Sequence, residues 1–259
     1  MKQSMVWKTR RGLRLGLFPA LEALAPRLEV LYGARTGGVS EGPYESLNLG
    51  MKVGDSKKRV QRNRELLLGA AGFDPRTLAR GEQIHGGAVE IARRGTLHRG
   101  VDGLVTGDDD LPLAVSTADC YAVIIYAPPE RAIAALHVGR MGAAEGIIER
   151  STILLQDAFH IDASKSIALI GPGICPECYK VGEEVAAQFP GRYAKPRDGV
   201  FSLDLPSFCR DELKRSGIPG ERIFESGLCT ACNPRLFFSY RRDGGITGRH
   251  WMLARNRPW

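Results

Sequence analysis

Histidine is scarce in this chain, long apolar runs are missing, and several well-known nucleotide and protease signatures are absent. The five histidines stand singly at positions 85, 98, 137, 160 and 250. No apolar run reaches the roughly 18 residues of a membrane-spanning helix. Lys8, Arg10, Arg11 and Arg14 precede an apolar stretch at 15–25, but Pro19 and Glu22 interrupt it, which makes a poor signal peptide. There is no Walker A loop, no GxGxxG after a strand and no HExxH, so triphosphate hydrolysis and metalloprotease chemistry lack support. Neither His85 nor His137 has a glutamate two residues on, which a zinc nucleobase deaminase requires. Six cysteines without an export signal read as reduced thiols for metal binding or catalysis in a cytoplasmic protein.

What is present describes an ordinary globular chain. The 259 residues are 43% hydrophobic and 25% charged, enough for a sizeable core, and one domain over 1–259 is expected. Lysine and arginine exceed aspartate and glutamate by 36 to 29, and arginines crowd the C-terminal end at 235, 241, 242, 249, 255 and 257. A solvated basic surface explains this better than a nucleic-acid face, because no recognition-helix, zinc-finger or aromatic RNP pattern accompanies it. Phosphate on a small substrate would satisfy the same charge.

Periodicity suggests a strand at 29–36 and a turn-rich stretch through Ser46-Leu47-Asn48-Leu49-Gly50. After Asp55 or Ser56 as cap comes a helix whose Val60, Leu67, Leu68 and Ala71 share a face. Runs at 111–117, 121–126 and 131–137 read as strands at the centre of one buried sheet. A helix over 142–159, a strand over 167–170 and helices over 181–189 and 207–216 follow, with 191–199 as a connector. Strands and helices mix without strict alternation, which predicts an α+β fold, a layered mixed β-sheet with flanking helices.

Two histidines lie in unusual settings. His85 sits between Gln83-Ile84 and Gly86-Gly87, where backbone can approach a ligand closely, and His137 ends an apolar strand. Cys120 closes Thr117-Ala118-Asp119-Cys120 at the junction of two predicted strands. Two imidazoles and a thiolate suit zinc with an open fourth position. The same atoms also suit a metal-free site with Cys120 as nucleophile and His137 as base, and each residue alone reads as readily as core packing. The pairs Cys175/Cys178 and Cys229/Cys232 form a double CxxC arrangement whose fifty-residue gap leaves open a structural metal or reduced thiols in or beside the core. Cys209 has no partner in sequence.

Together the motifs resemble the YfiH family, described variously as multicopper polyphenol oxidase (laccase), purine nucleoside phosphorylase with adenosine deaminase activity, and peptidoglycan editing factor. The resemblance spans most of the chain. It rests on Thr36-Gly37-Gly38-Val39-Ser40, Ser46-Leu47-Asn48-Leu49-Gly50, Val53-Gly54-Asp55, Asn63-Arg64, Gln83-Ile84-His85-Gly86, Asp102-Gly103, Thr117-Ala118-Asp119-Cys120, Gly171-Pro172, Cys178-Tyr179, Cys229-Thr230, Phe237-Phe238-Ser239-Tyr240-Arg241-Arg242 and Thr247-Gly248-Arg249. It implies a zinc held by His85, Cys120 and His137. The family's His-Ala-Gly-Trp-Arg-Gly reads here His137-Val138-Gly139-Arg140-Met141-Gly142, so Met141 stands where an arginine would bind an anion, and Arg140 is expected to point elsewhere. The family's Tyr-Glu-Val reads Tyr179-Lys180-Val181, and Cys175 is an extra thiol near it.

Five dispersed histidines cannot ligate a four-copper set, so copper-dependent laccase activity is the weakest of these readings. The first expectation is zinc-dependent cleavage and deamination of purine nucleosides, with Asn48, Arg64, Gln83 and Arg242 as substrate-binding candidates and Arg64 or Arg242 holding phosphate. The alternatives are a cysteine amidase acting on a peptidoglycan precursor and a metal-binding member impaired by the Arg140-Met141 change. A small-molecule substrate, no nucleic acid and no membrane are expected; the sequence sets no oligomeric state.

Overall fold

The computed structural model describes residues 5–257. Two large sheets lie face to face, and their composition follows from which strands must be buried on both sides. The first sheet runs in the order β1 (Val6–Arg10), β2 (Leu13–Leu17), β3 (Leu28–Gly33), β16 (His250–Asn256), β8 (Leu113–Thr117), β4 (Ala79–Glu82) and β6 (Leu97–Arg99). The second runs β15 (Ile223–Glu225), β11 (Ile167–Ile170), β9 (Tyr121–Ala127), β10 (Ala132–Val138), β7 (Gly103–Thr106) and β5 (Val89–Ile91). A three-stranded sheet of β12 (Lys180–Val181), β14 (Val200–Leu203) and β13 (Ala194–Arg197) completes the set. Both large sheets mix parallel and antiparallel pairs, in keeping with an α+β fold.

Period-two alternation explains why β9, and β10 apart from His137, are apolar along their length. Along β9, Ala122, Ile124 and Tyr126 join the core between the two sheets, while Tyr121, Val123 and Ile125 join the core on the outer face. Along β10, Ile133 and Ala135 face inward and Ala132, Ala134 and Leu136 outward. A strand covered on both faces has no place for a polar side chain without a partner. The outer face of the second sheet is covered by α4 (Ile147–Phe159), α5 (Glu183–Ala186) and α6 (Leu205–Arg215), through Ile147, Ile148, Leu155, Val185 and Leu213. On the other side, α2 (Lys57–Ala71) lays Leu67 and Leu68 over Leu15, Leu31 and Leu253 of the first sheet. The layers are therefore helix, sheet, sheet, helices. Short helices α1 (Pro19–Leu24) and α3 (Arg140–Ala144) lie outside this frame.

Several expectations need correction. The three apolar runs do not share a sheet: β8 belongs to the first and β9 and β10 to the second, because the chain passes between layers at Ala118-Asp119-Cys120. The helix expected over 142–159 is two helices, since Gly146 adopts φ 76° and breaks the ladder before α4. The helix expected over 181–189 shrinks to the single turn α5, because Lys180–Val181 pairs with β14. The supposed connector at 191–199 contains β13 and the turn of its hairpin to β14. The strand at 167–170 and the helix near 207–216 lie where expected; α6 begins earlier because the Asp204 carboxylate caps it at Ser207 N. The strand expected at 29–36 spans Leu28–Gly33. No helix among the described residues is long and apolar enough to cross a membrane.

Ile125 is fully buried, whereas Ile153 on α4 is half exposed. Ile125→Ala is expected to cost about 2–5 kcal/mol and Ile153→Ala less than about 0.5 kcal/mol, read from denaturant unfolding.

Candidate metal and substrate site

Three chain segments that are remote in sequence converge where the chain crosses between the sheets. His85 lies in the loop after β4, Cys120 in the turn from β8 to β9, and His137 near the end of β10. One ligand atom from each lies within 4.8 Å of the others, and the two imidazole rings meet edge to face at 4.8 Å. His85 and Asp119 both hold positive φ, 67° and 89°, a region sparsely used by non-glycine residues and found where surroundings fix the backbone.

Asp102, just before β7, supplies that fixing. One oxygen accepts from His85 N at 2.9 Å and bonds His137 Nδ1 at 2.7 Å, and the other accepts from Ile84 N and Gly86 N at 3.0 and 2.9 Å. Its own carbonyl accepts from His137 N at 2.7 Å. The His137 ring thus keeps Nε2 for the cluster, the carboxylate–histidine–metal arrangement. The His85 loop is pinned a second time by Gln83, whose amide donates to Ser116 O at 2.7 Å and accepts from Ser116 N at 2.8 Å on β8. Glu145 accepts from Gly87 N at 2.7 Å. Gly139 is required by space: a Cβ there would stand 3.0 Å from Cys120 Sγ and 3.4 Å from the His85 ring.

The electrostatics favour a thiolate. Burial works against the Cys120 anion, but the charge of His137 and hydrogen bonds from His137 and His85 outweigh it and hold the thiol down at about 6. Burial likewise works against the His137 cation, yet the Cys120 charge and the Asp102 bond raise the imidazole to about 9. Burial opposes the Asp102 anion, and the His137 and backbone N–H bonds lower its carboxyl below the usual range regardless.

The cluster forms one wall of a cavity of about 610 Å³. Arg64, Arg80, Arg140, Arg241 and Arg249 line it together with Tyr179, Tyr240 and Trp251. Arg64 on α2 donates twice to Leu49 O and stacks over Trp251, and burial and the Arg80 charge lower it to about 10. Neither Arg64 nor Arg80 has a carboxylate partner among the described residues. Two neighbouring cations, Arg64 buried and Arg80 half-buried, without a carboxylate make a place for an anion.

Of the substrate-binding candidates, Arg64 and Gln83 line this cavity. Asn48 and Arg242 do not. Asn48 is fully buried, donating to Asp55 at 2.8 Å and accepting from Gly50 N and Arg249 N at 2.9 Å each. Arg242 is spent on Asp243 and on the carbonyls of Thr230 and Phe237, so phosphate cannot claim it. Arg140 does line the cavity, contrary to expectation, because α3 starts directly beside the cluster. Asp102, Arg80, Tyr179 and Tyr240 were not among the site candidates; Asp102, Tyr179 and Tyr240 stood in motifs that carry the resemblance, and Asp102 had a further signal, an acid set in the apolar run Val101-Asp102-Gly103-Leu104-Val105.

The family profile described as multi-copper polyphenol oxidoreductase laccase matches residues 29–256. The chain belongs to that family, the YfiH family. A Deinococcus radiodurans relative named purine nucleoside phosphorylase is 39% identical over 91% of this chain and 93% of its own length. Purine nucleoside phosphorylase YlmD of Geobacillus stearothermophilus is 34% identical over 97% of both chains. The crystal structure of YlmD from that organism superposes with a TM-score of 0.92 at 31% identity, covering 99% of this chain and 100% of that one. The Bacillus licheniformis YfiH structure gives 0.89 at 27% identity, covering 97% and 99%. In this YfiH-family chain the other three histidines are not near the cluster: His98 bonds Glu90 and Arg93 N, His160 caps α4, and His250 bonds Gly33 O and Phe238 N. The donor set fits one ion rather than a multicopper assembly.

Asp102→Asn keeps an acceptor for the loop amides but weakens the hold on the His137 ring, and is expected to reduce metal affinity roughly 10–100-fold while the fold survives by circular dichroism. A second expectation concerns pH. Metal uptake needs Cys120 as thiolate, which it already is above about 6, and His137 neutral, which requires loss of the proton held to about 9. Zinc affinity, measured by chelator competition, should therefore rise roughly tenfold per pH unit between about 6 and 9 and level off above that.

Proposed function

We propose that this chain is a purine nucleoside phosphorylase that also deaminates adenosine, with a single zinc ion on His85, Cys120 and His137. One observation carries the reading: the His/Cys/His cluster, two arginines without carboxylate partners and a set of aromatic rings line the same cavity. The names of the relatives point the same way. When bound, zinc supplies a Lewis-acid charge that polarises a substrate oxygen or activates water.

The residues of the chain supply the rest. Phosphorolysis joins a phosphate oxygen to the anomeric carbon of ribose and breaks the bond to the purine nitrogen. Arg64 and Arg80 take the phosphate charge, in place of Arg242. Tyr179 and Tyr240 offer ring faces to the purine. Asp102 keeps His137 Nε2 aimed at the position the ion would share with His85 and Cys120. Arg140 restores a cation to the wall where Met141 has removed one, which argues against an impaired site.

A second reading has its own observation. Cys120, His137 and Asp102 stand in series, a thiolate, an imidazole and an orienting carboxylate, the arrangement of a cysteine nucleophile. In that case Cys120 would attack an amide carbonyl of a peptidoglycan precursor.

The test supplies adenosine and inosine with and without phosphate and follows the products. Phosphate-dependent release of base and ribose 1-phosphate, together with phosphate-independent inosine from adenosine, is expected, and both should vanish in Cys120→Ala. Arg80→Met should raise the KM for phosphate roughly tenfold to a hundredfold, the loss of one charge-assisted contact, with metal content unchanged. Zinc-loaded protein without nucleoside turnover would overturn the proposal. Amide hydrolysis that survives metal removal would establish the second reading instead.

A further inference from the structure

A second sulfur-rich cluster lies apart from the His/Cys/His site. Cys175 and Cys178 occupy the loop after β11, and Cys229 and Cys232 the turn after β15. The two loops run side by side because β11 and β15 are parallel neighbours: Gly173 bridges to Cys229, Gly173 N donates to Leu228 O and Thr230 N donates to Gly173 O. All four sulfurs fall within 4.8 Å of one another, with Cys178–Cys232 at 3.4 Å and Cys175–Cys232 at 4.0 Å. A tetrahedral zinc with about 2.3 Å bonds sets its sulfurs roughly 3.8 Å apart, a spacing that the two separations bracket and that no pair exceeds by more than about 1 Å. Cys175 N donates to Cys229 Sγ at 3.3 Å, the backbone-to-sulfur bond that supports a thiolate ligand.

The surrounding contacts hold the ligands in place without using them. Arg242 bonds the carbonyls of Thr230 and Ala231, the two residues between Cys229 and Cys232, and Asn233 donates to Cys229 O at 2.8 Å. Cys178 N and Tyr179 N both donate to Cys175 O, closing the first CxxC turn. Glu177, inside the first pair, hydrogen-bonds Cys175, and the four sulfurs form the ligand group with no imidazole among the described residues, which leaves no open position for substrate.

We infer that Cys175, Cys178, Cys229 and Cys232 bind a structural zinc ion that fastens the loop after β11 to the turn after β15. Both segments serve the cavity. Ile174 and Tyr179, which flank the first pair, line it, and Thr230 in the second pair donates to the Asp119 carboxylate at 2.6 Å, next to Cys120. The four-sulfur site therefore braces one wall of the substrate site from behind. A site of this composition is soft, closed and suited to structure rather than turnover.

The experiment measures zinc per chain by elemental mass spectrometry in the full-length wild type, Cys232→Ser, Cys175→Ser/Cys232→Ser and Cys120→Ala. Loss of one equivalent from the wild type to each Cys232 variant, whatever Cys120→Ala retains, is the expected result, so the outcome does not depend on the nucleoside reading. Because Cys232 is exposed, its serine variant perturbs little else. A second check leaves the four cysteines intact and uses Cys120→Ala: cobalt should give intense thiolate charge-transfer absorption, and a chelator should lower Tm. Equal zinc in wild type and Cys232→Ser would overturn the proposal. So would iron as the tightly held metal, or a native mass lighter by two or four hydrogens, which would mean disulfides.

Discussion

The bonds from the Asp102 carboxylate to its four partners are the constraint on which the site depends. A buried carboxylate is costly unless its lone pairs are filled, and here three backbone N–H groups and one imidazole fill them. Those same bonds hold His85 in a backbone conformation a histidine seldom adopts and turn the His137 ring so that one nitrogen is free. The carboxylate therefore couples the two histidines mechanically, although they arrive from different sheets. Gln83 performs the same service one step out, tying the His85 loop to β8 and thereby to the turn that carries Cys120.

The cluster can form only because the chain changes layers at Ala118-Asp119-Cys120. Had the three apolar runs lain in one sheet, Cys120 would have sat in an ordinary hairpin turn, with His85 on a remote edge. Facing sheets instead bring the ends of β4, β8 and β10 to one place. Arg249 and Trp251, at the start of β16, and Arg64 on α2 then close the cavity from the first sheet's side.

Much of this was legible in the residues, and what was not has a physical reason. The apolar runs and the strand at 167–170 were readable because burial on both faces leaves an unmistakable composition. Their division between two sheets was not, since an apolar residue facing one core looks the same as one facing the other. The break at Gly146 was missed because a glycine inside a helical pattern signals a break only when its φ turns positive. His85, Cys120 and His137 were found through motif resemblance and glycine-rich settings, and geometry unites them. Asn48 and Arg242 stood in equally marked motifs, yet their polar atoms are consumed by the protein itself; a motif records that a residue is needed, not whether a ligand or the fold needs it. The CxxC pairs read ambiguously across fifty residues because only the parallel pairing of β11 with β15 determines that they meet.

The position of β16 bears on how the molecule is made. It lies between β3 and β8, so the middle of the first sheet is filled by the strand that follows all the others in the chain. Until residues 250–256 have left the ribosome, β3 and β8 have no common neighbour, and their inward apolar faces stay without a closed layer. The second sheet, whose strands are all synthesised by residue 225, can assemble well before this. The cavity, which Arg249 and Trp251 line, therefore has its full wall only once this strand has been added to the sheet.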